Sequence, residues 1–149
     1  MHKYRYLKIV SLIQALLGLI LAAMSFILVP VCPPMHGMHM SCFYTGILVT
    51  CSGIIILILA ALNYFLQKDG WNKLIALVQI IISALAYMIP SKIIPVAIGT
   101  NMQGHTRFIG LCMKPMPCWN SFRASSICLL LIVIIALVYL AMQYVMKKD

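Results

Sequence analysis

The chain has 149 residues, of which 64% are hydrophobic and only 9% are charged, and its mean hydropathy is +1.05. A soluble domain is about half apolar and about a quarter charged, so this composition excludes a water-soluble globule, a disordered tail and a collagen-like fibre. The net charge of +9 comes from 11 basic residues against two acids. Because the basic residues lie in short segments around long apolar runs, they indicate membrane topology and not nucleic-acid binding.

Four apolar stretches predict membrane spans, each of which needs about 20 mainly apolar residues. The stretches run from Ile9 to Val29, Phe43 to Leu66, Leu74 to about Ile89, and Ser125 to Met146. Continuous apolar runs predict helices, because an open sheet in lipid leaves backbone groups unpaired and a barrel needs alternation. We therefore predict an all-α, single membrane domain over residues 1–149. It is a four-helix transmembrane bundle with short extracytoplasmic loops rich in Cys, Met and Pro.

The distribution of Lys and Arg predicts the orientation of the bundle. The first apolar run is longer than a signal-peptide core and lacks a cleavage site, so it is interpreted as a retained span. The termini and the turn between spans two and three carry seven basic residues, whereas the opposite side carries four. We therefore expect both termini in the cytoplasm of a multi-pass protein of the cell membrane. The two basic sets are Lys3, Arg5, Lys8, Lys68, Lys73, Lys147 and Lys148, and Lys92, Arg107, Lys114 and Arg123.

Four cysteines fall in the predicted outer loops: Cys32 and Cys42 in the first, Cys112 and Cys118 in the second. Each loop has a Met two residues before its second Cys, which gives a weak internal repeat. Paired cysteines outside the cytoplasm usually oxidise, so structural disulfides are the leading interpretation. Four cysteines pair in three ways, and proximity favours Cys32 with Cys42 and Cys112 with Cys118. Metal thiolates and an exchanging redox pair stay as alternatives.

The first outer loop also combines methionine, histidine and cysteine. Thioether, imidazole and thiolate are the ligands that select Cu(I), so this loop is a candidate copper site. The competing interpretation is that the methionines pack on the helix tops as flexible apolar side chains and that the histidines are solvated. The candidate ligands are Met35, His36, Met38, His39, Met40 and Cys42.

Small residues in span two predict close helix packing. Gly46, Thr50 and Gly53 form the candidate packing face, and span two is expected to be the most buried. Cys51 and Cys128, inside spans two and four, are interpreted as small packing residues. No acid, Lys or Arg lies deep in a span, which argues against a pump or a proton-coupled transporter. The polar stretch from Ser91 to Leu111 is interpreted as an interfacial loop.

The chain resembles a family of small bacterial membrane proteins known as domain of unknown function 4418. The resemblance covers nearly the whole chain and rests on Cys32-Pro-Pro-Met35, Met40-Ser-Cys42 and Met116-Pro-Cys118. It implies four spans and, because members are associated with export-type ABC transporter genes, an accessory role. The chain is also similar to the disulfide-generating membrane oxidoreductases in its four spans and two outer cysteine pairs. It lacks the Cys-x-x-Cys of their first pair.

We therefore expect a non-enzymatic multi-pass subunit with a disulfide-stapled outer cap, no catalytic residue and no resident cofactor. Its expected contacts are the lipid bilayer and either a membrane-protein partner or a second copy. A larger complex such as an export-type ABC transporter is the expected partner, and no nucleic acid is involved. One alternative is an extracytoplasmic thiol–disulfide oxidoreductase that uses a quinone. The other is a Cu(I)-binding membrane protein that uses the Met/His/Cys loop.

Overall fold

Four long helices make up most of the protein, and the computed structural model describes residues 2–28, 41–66, 68–100, 102–111 and 117–148. They are α1 (His2–Ala23, extended by a π-helical turn, Met24–Leu28), α2 (Ser41–Leu66), α3 (Asp69–Met88) and α4 (Pro117–Lys148). All four are long and apolar enough to cross a membrane, so the predicted four-helix transmembrane fold is confirmed. The 32 residues of α4 extend roughly 48 Å, beyond the roughly 30 Å hydrocarbon core, which explains why it begins eight residues before the predicted span.

The bundle is built from helix faces on which buried residues recur at alternating intervals of three and four. α1 packs mainly against α2 and α4, and α3 also packs against α2 and α4, so α1 and α3 are diagonal. Such spacing is typical of left-handed helix bundles in membranes. The buried faces of α1 and α3 include Leu7, Ser11, Gln14, Leu21 and Ser25, and Asn72, Ala76, Gln79, Ser83 and Ala86.

Polar residues line the inside of the bundle, and large apolar residues such as Leu12, Ile54 and Leu130 cover the outside. This arrangement suits lipid as the solvent, because lipid chains are as apolar as leucine. We call the end where α1 begins and α4 ends the terminal end, and the opposite end the hairpin end. Between them lies an apolar layer: Leu21, Val49, Ile56, Ala86, Leu129 and Ile132.

A close backbone contact joins α1 and α2 through two glycines, Gly18 and Gly53. A Cβ atom on Gly53 would lie 2.6 Å from the backbone nitrogen of Ala22 and 2.9 Å from the carbonyl oxygen of Gly18. Only hydrogen fits in that space, so the contact requires glycine. The most apolar window of α2 is 39% buried, against 28–33% for the other helices, which confirms that α2 is the most buried span.

The connection from α3 to α4 contains an antiparallel hairpin, β1 (Ala97–Thr100) and β2 (Thr106–Phe108). This stretch was expected to be an interfacial loop, and the structure adds regular pairing between two short strands to that description. Its strands are largely exposed and lie beyond the spans, so they pair with each other without entering the bundle. Thr45 Oγ1 donates a hydrogen bond of 3.2 Å to the carbonyl oxygen of Gly110, which ties the end of the hairpin to α2.

Candidate functional site

Two cysteines from different outer loops meet at the hairpin end of the bundle. Cys42 is the second residue of α2 and Cys118 the second residue of α4, and their side chains are 0% and 2% exposed. Both line one small cavity, which we call the thiol cavity, together with Ser25, Thr45, Gly46, Val49, Leu111, Ser121, Phe122 and Ser125.

The thiol cavity is too small for an organic cofactor. Its volume is about 10 Å³, which is close to the space that one water molecule needs. Its wall hydroxyls are partly engaged with backbone carbonyl groups, since Ser125 Oγ donates to the oxygen of Ser121 at 2.8 Å. The cavity therefore suits a bridge between sulfur atoms or a single small ion better than a quinone.

The other predicted loop residues lie outside the described residues. They are Cys32, Met35, His36, Met38, His39, Met40 and Cys112. Cys118 is a free thiol in the structure. The disulfide pairing and the copper site therefore stay predictions. Among the residues that the structure describes, no group of three or more His, Cys, Asp or Glu side chains is placed to hold a metal ion.

The predicted packing residues of α2 have different surroundings. Gly46 is buried in the wall of the thiol cavity, and Gly53 is buried against α1. Thr50 is half-buried, and its Oγ1 atom makes no hydrogen bond among the described residues. Cys128 packs against the apolar layer, whereas Cys51 is exposed on the outer surface. Cys51 therefore does not pack within the bundle, because its position on α2 faces away from the other helices.

A second polar region occupies the terminal half of the bundle. It was not predicted from the sequence, because its residues are neutral and only charged residues in the spans were considered. We call it the amide seam. Tyr139 donates a buried hydrogen bond of 3.2 Å to Asn63 Oδ1. The side-chain nitrogen and oxygen atoms of three buried glutamines have no hydrogen-bond partner among the described residues. The seam consists of Gln14, Asn63, Asn72, Gln79, Tyr139 and Gln143.

An open groove of about 540 Å³ separates α3 from α4 on the outer surface near the hairpin end. Its lining is almost entirely apolar and includes Ala84, Leu130 and Ile134. At the rim of the groove nearest the hairpin end, Tyr87 stacks on Phe122 with ring centres 5.9 Å apart. A bilayer-facing groove of this size accommodates a lipid chain or side chains of another helix. We call it the α3–α4 groove.

The family model described as Domain of unknown function (DUF4418) matches residues 14–144. The chain belongs to this family. The match spans all four helices and includes both cysteines of the thiol cavity, so the predicted resemblance is confirmed. No curated protein and no solved structure matches the chain. This DUF4418 protein is thus a multi-pass membrane protein by its helices, and its function must be argued from its own residues.

Proposed function

We propose that this DUF4418 protein is a non-enzymatic subunit of the cell membrane whose outer cap is stapled by disulfides. The observation that carries the proposal is the burial of Cys42 and Cys118 in one cavity. Because these cysteines come from two different loops, oxidation in this region links the loops to the start of α2 and α4. Buried cystines of this kind stabilise structure, whereas exchange with a substrate protein requires an accessible sulfur.

The same burial argues against the oxidoreductase alternative. A thiol–disulfide enzyme must present one sulfur to its substrate and pass electrons to an acceptor such as a quinone. The thiol cavity has room for only about one water molecule, so neither partner enters it. The copper alternative is still supported by ligand preference, because the two buried sulfur atoms are soft ligands of the kind that Cu(I) prefers.

Peptide mapping without reduction tests the stapled cap. Membranes are treated with an alkylating reagent before solubilisation, and the digested peptides are analysed by mass spectrometry. We expect Cys42 and Cys118 in disulfide-linked peptides that resist mild reductant, with Cys51 and Cys128 remaining thiols as internal controls. Alkylated Cys42 and Cys118 without reductant would refute the staple, and copper in that sample would favour the Cu(I) alternative. A pair that opens in mild reductant would favour the oxidoreductase.

Single and double substitutions of Cys42 and Cys118 identify whether these two cysteines are bridged to each other. If Cys42 and Cys118 share one bridge, the Cys42→Ser and Cys118→Ser variants lose similar stability and the double variant loses no more. If the two residues belong to separate bridges, the two losses add, because removing independent interactions is additive. In the chain-entropy model a separate bridge that closes a short loop is worth about 2–3 kcal/mol, whereas a Cys42–Cys118 bridge closes a long loop and is worth about 4–5 kcal/mol.

The proposed orientation places both termini in the cytoplasm and the hairpin end outside. It rests on seven basic residues at the terminal end against four on the other side, since basic loops remain in the cytoplasm. Membrane-impermeant amine-reactive reagents or proteases, applied to intact cells, test this orientation. The expected result is modification at Lys92 or cleavage at Arg107, both in the connection from α3 to α4, with protected termini. The opposite pattern overturns the proposed orientation.

The proposed partner is another membrane protein, such as an export-type ABC transporter. The choice of partner rests on the resemblance to the family as well as on the structure. The α3–α4 groove is the surface that we expect the partner to cover. Leu130 lines the groove and is 60% exposed, whereas Leu137 is 52% exposed on the same face two turns beyond it. Leu130→Trp should release a co-purifying partner and Leu137→Trp should not. Purification of the wild type from native membranes as a single stable species would exclude the partner.

A further inference from the structure

The amide seam contains more hydrogen-bonding capacity than the protein satisfies. Gln14 and Gln79 are fully buried and Gln143 is 4% exposed, and both polar atoms of each side chain lack a partner among the described residues. Each carboxamide offers two donor hydrogens and an oxygen that accepts two hydrogen bonds. An unsatisfied polar group in a membrane interior costs several kcal/mol, so such a set is expected to bind something.

The three glutamines do not lie close enough to satisfy one another. Ala76 and Tyr139 share a buried cluster and so mark one level of the bundle. Gln79 is three residues beyond Ala76 toward the apolar layer, and Gln143 is four residues beyond Tyr139 toward the terminal end. At 1.5 Å per residue these two side chains start roughly 10 Å apart along the axis. Gln14 lies on α1, diagonal to α3, so each amide requires a bridging molecule.

The unsatisfied amide groups are unusual because they lie deep in the bundle. Gln79 lies ten residues after the start of α3 and nine before its end, which is the middle of the span. On the terminal side, Asn63 and Asn72 continue the polar surface to the ends of α2 and α3. On the other side the apolar layer closes the bundle, with Ala86 on α3 one heptad beyond Gln79.

We infer that the amide seam binds a chain of water molecules that enters from the terminal end and stops at the apolar layer. The described residues of the seam are neutral, so they provide no compensation for an ion, whereas water supplies both donors and acceptors. This site is separate from the thiol cavity, which lies beyond the apolar layer, and it does not depend on the stapled cap. The bundle is therefore hydrated on the terminal side of the apolar layer, and the layer itself is dry.

Cysteine accessibility tests the inference, because a thiol reacts with an alkylating reagent only as the thiolate, which forms in water. N-ethylmaleimide is added to the full-length protein in lipid vesicles, and each site is quantified by mass spectrometry. Gln79→Cys should react at least about tenfold faster than two controls, since only its thiol would contact water. The controls are Ala86→Cys, on the same buried face inside the apolar layer, and Leu77→Cys, exposed to lipid at the depth of Gln79. Equal rates at Gln79→Cys and Ala86→Cys would overturn the inference.

A measurement on the unaltered protein covers the case in which a variant does not fold. X-ray radiolysis converts bound water into hydroxyl radicals, which oxidise the side chains that contact it. Tyr139 is 1% exposed in the seam and Ile132 is 0% exposed in the apolar layer. After correction for intrinsic reactivity, we expect Tyr139 to be oxidised at least fivefold more than Ile132, with ¹⁸O incorporated from labelled water. Equal oxidation of these two residues would exclude bound water in the seam.

Discussion

Adding one methyl group to Gly53 should force α1 and α2 apart. The new Cβ atom would lie 2.6 Å from the backbone nitrogen of Ala22, whereas ordinary van der Waals contact begins at 3.4 Å, so the helices must separate by about 0.8 Å. Overpacking of this kind costs about 1–3 kcal/mol, and the better helix propensity of alanine returns about 1 kcal/mol. Because the new atom meets backbone and not a flexible side chain, the cost lies in the upper part of that range. We therefore expect Gly53→Ala to lower the free energy of unfolding by about 1–2 kcal/mol.

Two other glycines provide a graded comparison. At Gly18 the added Cβ atom would lie 3.0 Å from the backbone of Leu57, so Gly18→Ala should cost less than Gly53→Ala. At Gly70 nothing lies within 4 Å, so Gly70→Ala should leave stability unchanged or raise it by up to about 1 kcal/mol. Because Gly53 meets backbone atoms, adding Ala22→Gly should not rescue Gly53→Ala.

Reversible unfolding in mixed micelles, followed by far-ultraviolet circular dichroism during titration with dodecyl sulfate, measures these differences. The expected order of stability is Gly70→Ala at least equal to wild type, then Gly18→Ala, then Gly53→Ala. If Gly53→Ala unfolds at the same detergent fraction as the wild type, the close approach of α1 and α2 is not required. Rescue by Ala22→Gly would show that a side chain, and not the backbone, sets the distance.

Two hydrogen bonds allow further predictions. Tyr139→Phe removes the bond to Asn63 and should lower stability in the same micelle titration by about 0.5–1.5 kcal/mol, whereas no measurable loss would show that this bond contributes nothing. Thr45→Val removes the bond to Gly110 and should lower stability by a similar amount and speed proteolysis of the hairpin. Its matched control is Thr50→Val, which loses no partner among the described residues and should leave both readouts unchanged or improved. Equal proteolysis of the two threonine variants would contradict the role given to Thr45.

Part of the candidate site could be predicted from the sequence, and part could not. The two Met-x-Cys motifs identified Cys42 and Cys118 as related positions, and the small residues of α2 included Gly53. That both cysteines line one cavity depends on how α2 and α4 pack, because the motifs are 76 residues apart. Gln14 and Gln79 could have been identified in the sequence as polar residues inside apolar spans, whereas their burial in one seam depends on how the helices pack.

The sequence by itself determined that four helices cross the membrane, because lipid accepts only segments that satisfy their own backbone hydrogen bonds. Only the tertiary structure decided which face of each helix points inward. In lipid the outer face is as apolar as the core, so the period of apolar residues gives little indication of direction. The tertiary structure therefore decided that Cys51 faces outward, that Gln79 faces inward, and that an apolar layer separates the amide seam from the thiol cavity.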